Sequence, residues 1–141
     1  MPRPGIRFFN EQTEFSLPHP RKTSQWLKLV AGKEKTSIGE LNYIFCSDPY
    51  LHDINRKFLH HDTYTDIITF DHSTIRGVIE GDVFISLDRV KENAEKYNVT
   101  FDEELHRVMV HGVLHLIGYT DKSPPEKQRM KKKEDAYLSL R

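Results

Sequence analysis

The chain has 141 residues, of which 37% are hydrophobic and 30% are charged. This length and balance predict one globular domain with a substantial core, and they exclude a disordered chain. Lysine and arginine together number 21, as do aspartate and glutamate, so contact with a polyanion would need a local patch rather than net charge.

No stretch of the sequence approaches the ~20 apolar residues of a membrane span, and the N-terminus lacks the apolar segment of a signal peptide. The single cysteine, Cys46, lies in an apolar run and is predicted to pack as a small hydrophobic residue. With no second cysteine the chain has no disulfide partner, which fits a reducing compartment. We therefore expect a cytoplasmic protein without a membrane association.

The first third of the chain predicts two strands separated by a helix. The strands are expected at 6–9 and at 39–46, and the far end of the second should be buried on both faces. Thr23 or Ser24 is predicted to cap the helix, which should end near Gly32.

The middle of the chain predicts a helix, two strands and a further helix. Asp48, followed by proline, is predicted to cap the first of these helices. Strands are expected at 66–70, where β-branched residues cluster, and at 78–86, where Gly81 predicts a bulge. Ser86 should cap the next helix, which is predicted to carry Leu87, Val90, Ala94 and Tyr97 on one face.

Two more helices complete the chain, each with a capping-box signature. Thr100 and Glu103 predict a helix that starts near Phe101, and Ser123 and Glu126 predict a basic terminal helix. The order is then β-α-β-α-β-β-α-α-α, with no repeat and no linker, so residues 1–141 are predicted to form a single domain. We expect an α+β fold in which a mixed sheet of about four strands packs with helices around one central, buried helix.

The most informative stretch is His111-Gly-Val-Leu-His115-Leu-Ile-Gly118-Tyr-Thr-Asp121. Two histidines four residues apart on a helix point the same way. Gly118 can end the helix in a left-handed conformation, and the chain can then return with Asp121 as a third ligand. Two histidines and a carboxylate around one ion, with a position left open, are typical of a catalytic zinc site.

The helix around this pair is apolar except for a narrow polar seam, which holds Glu104, Arg107, His111, His115 and Gly118. A helix that is apolar nearly all round is buried, so its seam must face a partner or a cavity. Two hydrogen-bonded core histidines are the alternative, and HxxxH alone would favour it. The glycine and the aspartate at these offsets favour a metal.

A zinc ion with three protein ligands can supply hydroxide at neutral pH and polarise a carbonyl or phosphoryl oxygen, which indicates hydrolysis. Zincin peptidases place a glutamate base directly after the first histidine, where this chain has Gly112. The ten-residue span from His111 to Asp121 nevertheless matches the longer metzincin spacing. A peptidase therefore stays open as a lesser alternative to a nuclease.

The nonapeptide His-Gly-Val-Leu-His-Leu-Ile-Gly-Tyr resembles the signature of the YbeY family of bacterial ribosomal-RNA maturation factors, His-Gly-x-Leu-His-Leu-x-Gly-Tyr-Asp-His. Other parts of the chain resemble that family in the same order: Asn55, Thr65–Phe70, Gly81–Ser86, and the pair Met130 and Glu134. The resemblance implies a single-strand-specific, metal-dependent endoribonuclease that acts in rRNA processing. It also implies one divalent ion, for which we expect Zn²⁺, and RNA and ribosomal components as partners.

The sequence departs from the family pattern at two positions. The third metal ligand of the family is histidine, where this chain has Asp121; a carboxylate still ligates zinc but would weaken it as a Lewis acid and favour harder ions such as Mn²⁺. The family's basic residue, which the resemblance links to RNA chemistry, is replaced by Leu59. Lys57, His60 or His61 are the candidates to replace it in nucleic-acid binding, and no general base is assigned.

Three remaining features have a functional and a plain structural interpretation. Asp66 either serves the site or buttresses a strand end. The basic run of the last helix, residues 127–133, either contacts phosphates or is a solvated surface. The whole chain is either an endoribonuclease or a non-catalytic ribosome assembly factor with a structural metal, and Leu59 is the residue that keeps the second hypothesis open.

Overall fold

The structure, a computed structural model, describes residues 5–60 and 64–141. The predicted order of elements is confirmed. The elements are β1 (Gly5–Glu11), α1 (Pro20–Lys33), β2 (Ser37–Cys46), α2 (Asp48–Leu59), β3 (Ile67–Asp71), β4 (Val78–Ser86), α3 (Leu87–Lys96), α4 (Phe101–Ile117) and α5 (Pro124–Leu138).

The four strands form one mixed sheet in the order β1-β2-β4-β3, as predicted. β1, β2 and β4 run parallel, and β3 pairs antiparallel with β4 at one edge. The last four residues of β2 are buried, and Cys46 among them is fully buried, which confirms both expectations. The sheet therefore presents a continuous apolar surface for the helices.

The helix α4 packs on this sheet and between α1, α3 and α5. Its start is confirmed, because the Thr100 side chain accepts a hydrogen bond from the Glu103 backbone N–H at 3.1 Å. Its end is confirmed as well: Gly118 has φ 130°, in the region that ordinary side chains avoid. The apolar residues around its circumference are buried: Leu105, Val108, Met109, Val110, Val113, Leu114 and Leu116.

Two predicted helix caps are wrong. α1 begins at Pro20, because proline is preorganised for the first helical position, and Thr23 is buried within the helix instead of capping it. Ser47, not Asp48, caps α2 by accepting the Tyr50 backbone N–H.

Two further predictions need correction. The sheet irregularity lies in β2 between Ile38 and Leu41, and not at Gly81. Gly81 is required by a close approach instead, since a Cβ there would lie 2.3 Å from the Phe70 carbonyl oxygen. Tyr97 does not continue the predicted face of α3, because the helix ends at Lys96 and Tyr97 is 60% exposed. Among the described residues, no helix combines the length and the apolar character needed to cross a membrane.

Candidate metal centre

The C-terminal half of α4 and the loop after it bring three potential ligands together. The rings of His111 and His115 lie 4.5 Å apart, between centroids, on one face of the helix. After the turn at Gly118, the Asp121 carboxylate lies 3.4 Å from His111 Nε2 and 3.7 Å from His115 Nε2. Within the described residues, these three side chains are the one group of three or more His, Cys, Asp or Glu residues whose ligand atoms lie within 4.8 Å of one another.

The spacing of these atoms fits a small tetrahedral ion. Zinc bonds of about 2.0–2.2 Å at tetrahedral angles separate neighbouring ligand atoms by roughly 3.4 Å. The two distances from the Asp121 carboxylate to the imidazoles come within a few tenths of an ångström of that separation. All three side chains are only partly buried, so a ligand position remains accessible from outside.

Glu134 of α5 orients His111. Its Oε2 lies 2.6 Å from His111 Nδ1, and its Oε1 accepts a hydrogen bond from Arg107 at 3.1 Å. A carboxylate on Nδ1 requires the proton there and leaves the Nε2 lone pair directed toward Asp121. This carboxylate–histidine arrangement is the one that metal-ligating histidines commonly use.

The two imidazoles differ in their electrostatic surroundings. Burial lowers the pKa of His111, but the hydrogen bond to Glu134 and the charges of Glu134 and Asp121 outweigh it, so the pKa is raised. Burial and the neighbouring His111 hold the pKa of His115 below its usual value. His115 therefore loses its proton at a lower pH than His111, and both imidazoles present an Nε2 lone pair once His111 is neutral.

The loop that carries Asp121 is fixed at both ends. On one side, the Tyr119 hydroxyl donates a hydrogen bond to Glu34, the residue after α1, at 2.6 Å. On the other side, Ser123 and Glu126 form the predicted capping box of α5. The position of Asp121 thus follows from helix-capping rules and from one long-range hydrogen bond.

A cavity of about 650 Å³ lies beside the three ligands and includes His111 and Asp121 in its lining. It follows the polar seam of α4 back to Glu104, which is only 5% exposed. Burial, followed by the charge of Asp66, raises the pKa of Glu104 to about 7. Burial likewise raises the pKa of Asp66, which also lines the cavity.

Gly112, the residue after the first histidine, faces the sheet. A Cβ there would lie 3.0 Å from Val83 Cγ1 and 3.2 Å from Ile67 Cδ1. A glutamate side chain at this position would have to enter the packed core. Zincin peptidases carry their glutamate base at this position, whereas Gly112 here allows the helix to pack closely on the sheet.

The candidates for nucleic-acid binding on α2 lie elsewhere. Neither Lys57 nor His60 is among the described residues that line the cavity. Lys57 is exposed and pairs with Asp53 at 3.0 Å, and His60 ends α2 in a left-handed conformation. Leu59 is 40% exposed at the same helix end, and His61 lies outside the described residues.

The basic run of α5 divides into two groups. Lys127 and Lys131 line the cavity, whereas Lys133 pairs with Glu34 at 2.9 Å. Glu134, which directly follows this run, is 7% exposed and bound to His111. The sequence feature that could have identified Glu134 is the resemblance of Met130 and Glu134 to the family pattern, but that resemblance assigns no role to either residue.

One buried histidine was missed altogether. His106 is 4% exposed, its Nδ1 lies 2.7 Å from the Asp102 carbonyl oxygen, and its Nε2 lies 3.2 Å from the Thr23 hydroxyl. It lies on the face of α4 toward α1. The helix therefore contains the hydrogen-bonded core histidine of the alternative interpretation, at a position other than 111 or 115.

Comparison with known proteins gives a consistent result. The sequence profile described as Endoribonuclease YbeY matches residues 7–140. Curated proteins named Endoribonuclease YbeY from Cytophaga hutchinsonii and Flavobacterium johnsoniae are 59% and 49% identical to this chain. The alignments cover 96% of this chain and 95% of the first protein, and 94% of this chain and 94% of the second. The solution structure of TM1509 from Thermotoga maritima is similar with a TM-score of 0.66 and 27% identity, over 95% of this chain and 87% of that one.

Proposed function

This chain belongs to the YbeY family of endoribonucleases, and we propose that it uses a divalent metal ion to cleave single-stranded RNA during ribosomal-RNA processing. The observation that carries the proposal is the convergence of His111, His115 and Asp121 at the end of α4. A bound ion of the zinc type would supply hydroxide at neutral pH and polarise a phosphoryl oxygen.

The chain's own residues would prepare this site in three ways. His111 and His115 would bind the ion through Nε2, with His111 held by Glu134. Asp121 would be the third ligand, and its negative charge would lower the net charge of the ion together with its ligands. Lys127 and Lys131 at the cavity would attract the phosphates of the substrate.

Zinc is the ion that this ligand set favours, and Mn²⁺ is the alternative that a carboxylate ligand brings closer. Ribosomal components as partners, and a cytoplasmic location, follow from a ribosomal-RNA substrate and are part of the same proposal. The packing of Gly112 supports a nuclease over a peptidase, since it leaves no room for a glutamate base.

Cleavage of an unstructured RNA by the purified, zinc- or manganese-loaded protein tests the proposal. We expect His115→Ala to abolish cleavage. His72→Ala is the matched control, because His72 is an exposed histidine bonded to Asp82 and is not among the described residues lining the cavity. Undiminished cleavage by His115→Ala would overturn the proposed metal site.

A non-catalytic assembly factor is the second candidate, and Leu59 is the observation that favours it. The exposed leucine supplies no cation to a phosphorane, and Lys57 on the same helix is paired with Asp53. If the chain is a non-catalytic assembly factor, we expect the His115→Ala variant to associate with the ribosome as wild type does. Complementation of a deletion strain with wild type and with His115→Ala separates the two functions, because only the enzyme requires the histidine.

A further inference from the structure

The cavity beside the candidate metal centre extends well beyond the ligands. Its lining begins at His111 and Asp121 and reaches Glu104, seven residues earlier on α4. Seven residues span about 10 Å along a helix axis. The cavity therefore has room for more than the reacting phosphate, and its far end lies about two helical turns from His111.

Glu104 is the buried group at that far end with unused hydrogen-bonding capacity. Its side chain is 5% exposed, and no hydrogen bond or ion pair joins its carboxylate to any other residue of 5–60 and 64–141. Glu134, by contrast, is bonded to both His111 and Arg107. The carboxylate oxygens are open to the cavity and have no donor from the described residues, so Glu104 is an available acceptor for a ligand that enters the cavity.

The rim of the cavity carries groups suited to a nucleotide. Tyr97 lines it with a ring that is 60% exposed, and exposed aromatic rings stack on the bases of single-stranded RNA. Lys127 and Lys131 of α5 also line the cavity and bring positive charge for phosphates. An aromatic face, two cations and one buried acceptor together describe a site for a base with its phosphate.

The chemistry of Glu104 selects among the bases. A carboxylate has two acceptor oxygens side by side, and it pairs best with two adjacent N–H donors. Guanine offers such a pair, N1–H and the N2 amino group, on its Watson–Crick edge. Adenine and cytosine place a ring acceptor beside their amino group, and uracil places its one N–H between two carbonyl groups.

We propose that the cavity is a guanine subsite, in which the Glu104 carboxylate accepts hydrogen bonds from N1–H and N2–H of a guanine next to the scissile phosphate. This proposal rests on the proposed endoribonuclease function and names the substrate base that its site prefers. A second metal ion on Asp66 and Glu104 is less well supported, because the described residues bring no third ligand close enough to them.

The proposal includes a pH dependence with a defined sign. The pKa of Glu104 is raised to about 7, and N–H donors favour the ionised form, so guanine binding should strengthen from pH 6 to pH 8. The charged and titratable groups that face Glu104 or share its cavity come from three regions: Asp66 before β3, Glu103, Arg107 and His111 of α4, and Asp121, Lys127, Lys131 and Glu134 of the segment that follows α4.

Mononucleotide binding to the metal-loaded protein tests the subsite directly. GMP and IMP share the phosphate, the sugar and N1–H and differ only in the N2 amino group. We expect wild type to bind GMP about tenfold tighter than IMP or more, and Glu104→Gln to bind the two alike. Glu103→Gln, an exposed neighbour on the same helix, is the matched control and should keep the preference.

Equal binding of GMP and IMP by wild type, or an unchanged preference in Glu104→Gln, would overturn the subsite. Cleavage of short RNAs that carry guanosine or inosine at one position distinguishes this failure from failure of the proposed function. Equal cleavage of both RNAs overturns the subsite and leaves the nuclease standing. A GMP preference in a protein that cleaves no RNA supports the subsite and overturns the nuclease.

Discussion

Two faces of α4 hold histidines in different ways. On the face toward α1, His106 uses both ring nitrogens within the core: Nδ1–H donates to the Asp102 carbonyl, and Nε2 accepts from the Thr23 hydroxyl. On the opposite face, His111 uses Nδ1 for Glu134 and leaves Nε2 facing Asp121. The surroundings of the second nitrogen, rather than burial alone, thus separate a structural histidine from a candidate ligand.

The largest effects should come from removing one histidine from each face. We expect His115→Ala to weaken zinc binding by more than about a hundredfold, because one of the three proposed protein ligands is lost. His106→Ala should leave zinc affinity near wild type but lower the free energy of unfolding by about 2 to 4 kcal/mol, since it leaves a cavity and unpaired partners.

Competitive chelator titrations measure the first quantity, and denaturant unfolding of the chelated proteins measures the second. The comparison of the two faces predicts that His115→Ala loses more zinc affinity, whereas His106→Ala loses more stability. A His106→Ala protein that folds normally but no longer binds zinc would break it.

Glu134 tests whether the carboxylate on Nδ1 matters. We expect Glu134→Gln to weaken metal binding ten- to hundredfold, because the amide still accepts from Nδ1–H but no longer increases the basicity of the ring. Asp135→Asn is the matched control, since Asp135 also pairs with Arg107 but does not contact His111. The same competitive titrations apply, and equal losses in both variants would assign the effect to Arg107 rather than to His111.

Glu104 extends the comparison to a polar group without a partner. Its folded-state pKa of about 7 exceeds the ordinary value of 4.5, so its contribution favours folding below pH 4.5 and is lost as the pH rises through 7. In chelated protein, Glu104→Gln should therefore raise the free energy of unfolding by about 1 to 2 kcal/mol at pH 8 and have little effect at pH 4.5. Denaturant unfolding at the two pH values checks this, and equal effects at both would contradict the buried, unpaired state of Glu104.

Much of the fold follows from local sequence signals. The capping box at Ser123, the Thr100 cap and Gly118 set the ends of α4 and α5, because each satisfies a backbone requirement that few residues can meet. The α1 cap was mispredicted because Thr23 has the chemistry of a cap but is used for a contact with His106, 83 residues away along the chain. Such long-range use of a polar side chain leaves no local pattern.

The site residues also divide into those that a local sequence pattern predicts and those that only the fold brings together. His111, His115 and Asp121 follow from helical spacing and one turn, so a sequence pattern brings them together on its own. Glu134 reaches His111 only through the packing of α5 on α4, and the unpaired state of Glu104 depends on everything around it. A polar seam on a helix predicts a cavity, but the residues of the opposite wall belong to other elements, which only the fold brings there.

The smallest expected effect concerns the proposed third ligand, where this chain has Asp121 in place of the histidine that the resemblance implies. Asp121→His replaces a hard, charged oxygen donor by a neutral nitrogen, and its partly exposed position leaves room for the ring. We expect the ratio of zinc to manganese affinity to rise by about tenfold, because imidazole suits Zn²⁺ while carboxylate suits Mn²⁺. Asp121→Asn, which removes the charge but keeps an oxygen donor, should weaken both metals without raising the ratio. Competitive titration with each ion measures the ratio, and an unchanged value in Asp121→His would mean that residue 121 does not bind the metal and that the two imidazoles hold it without the loop.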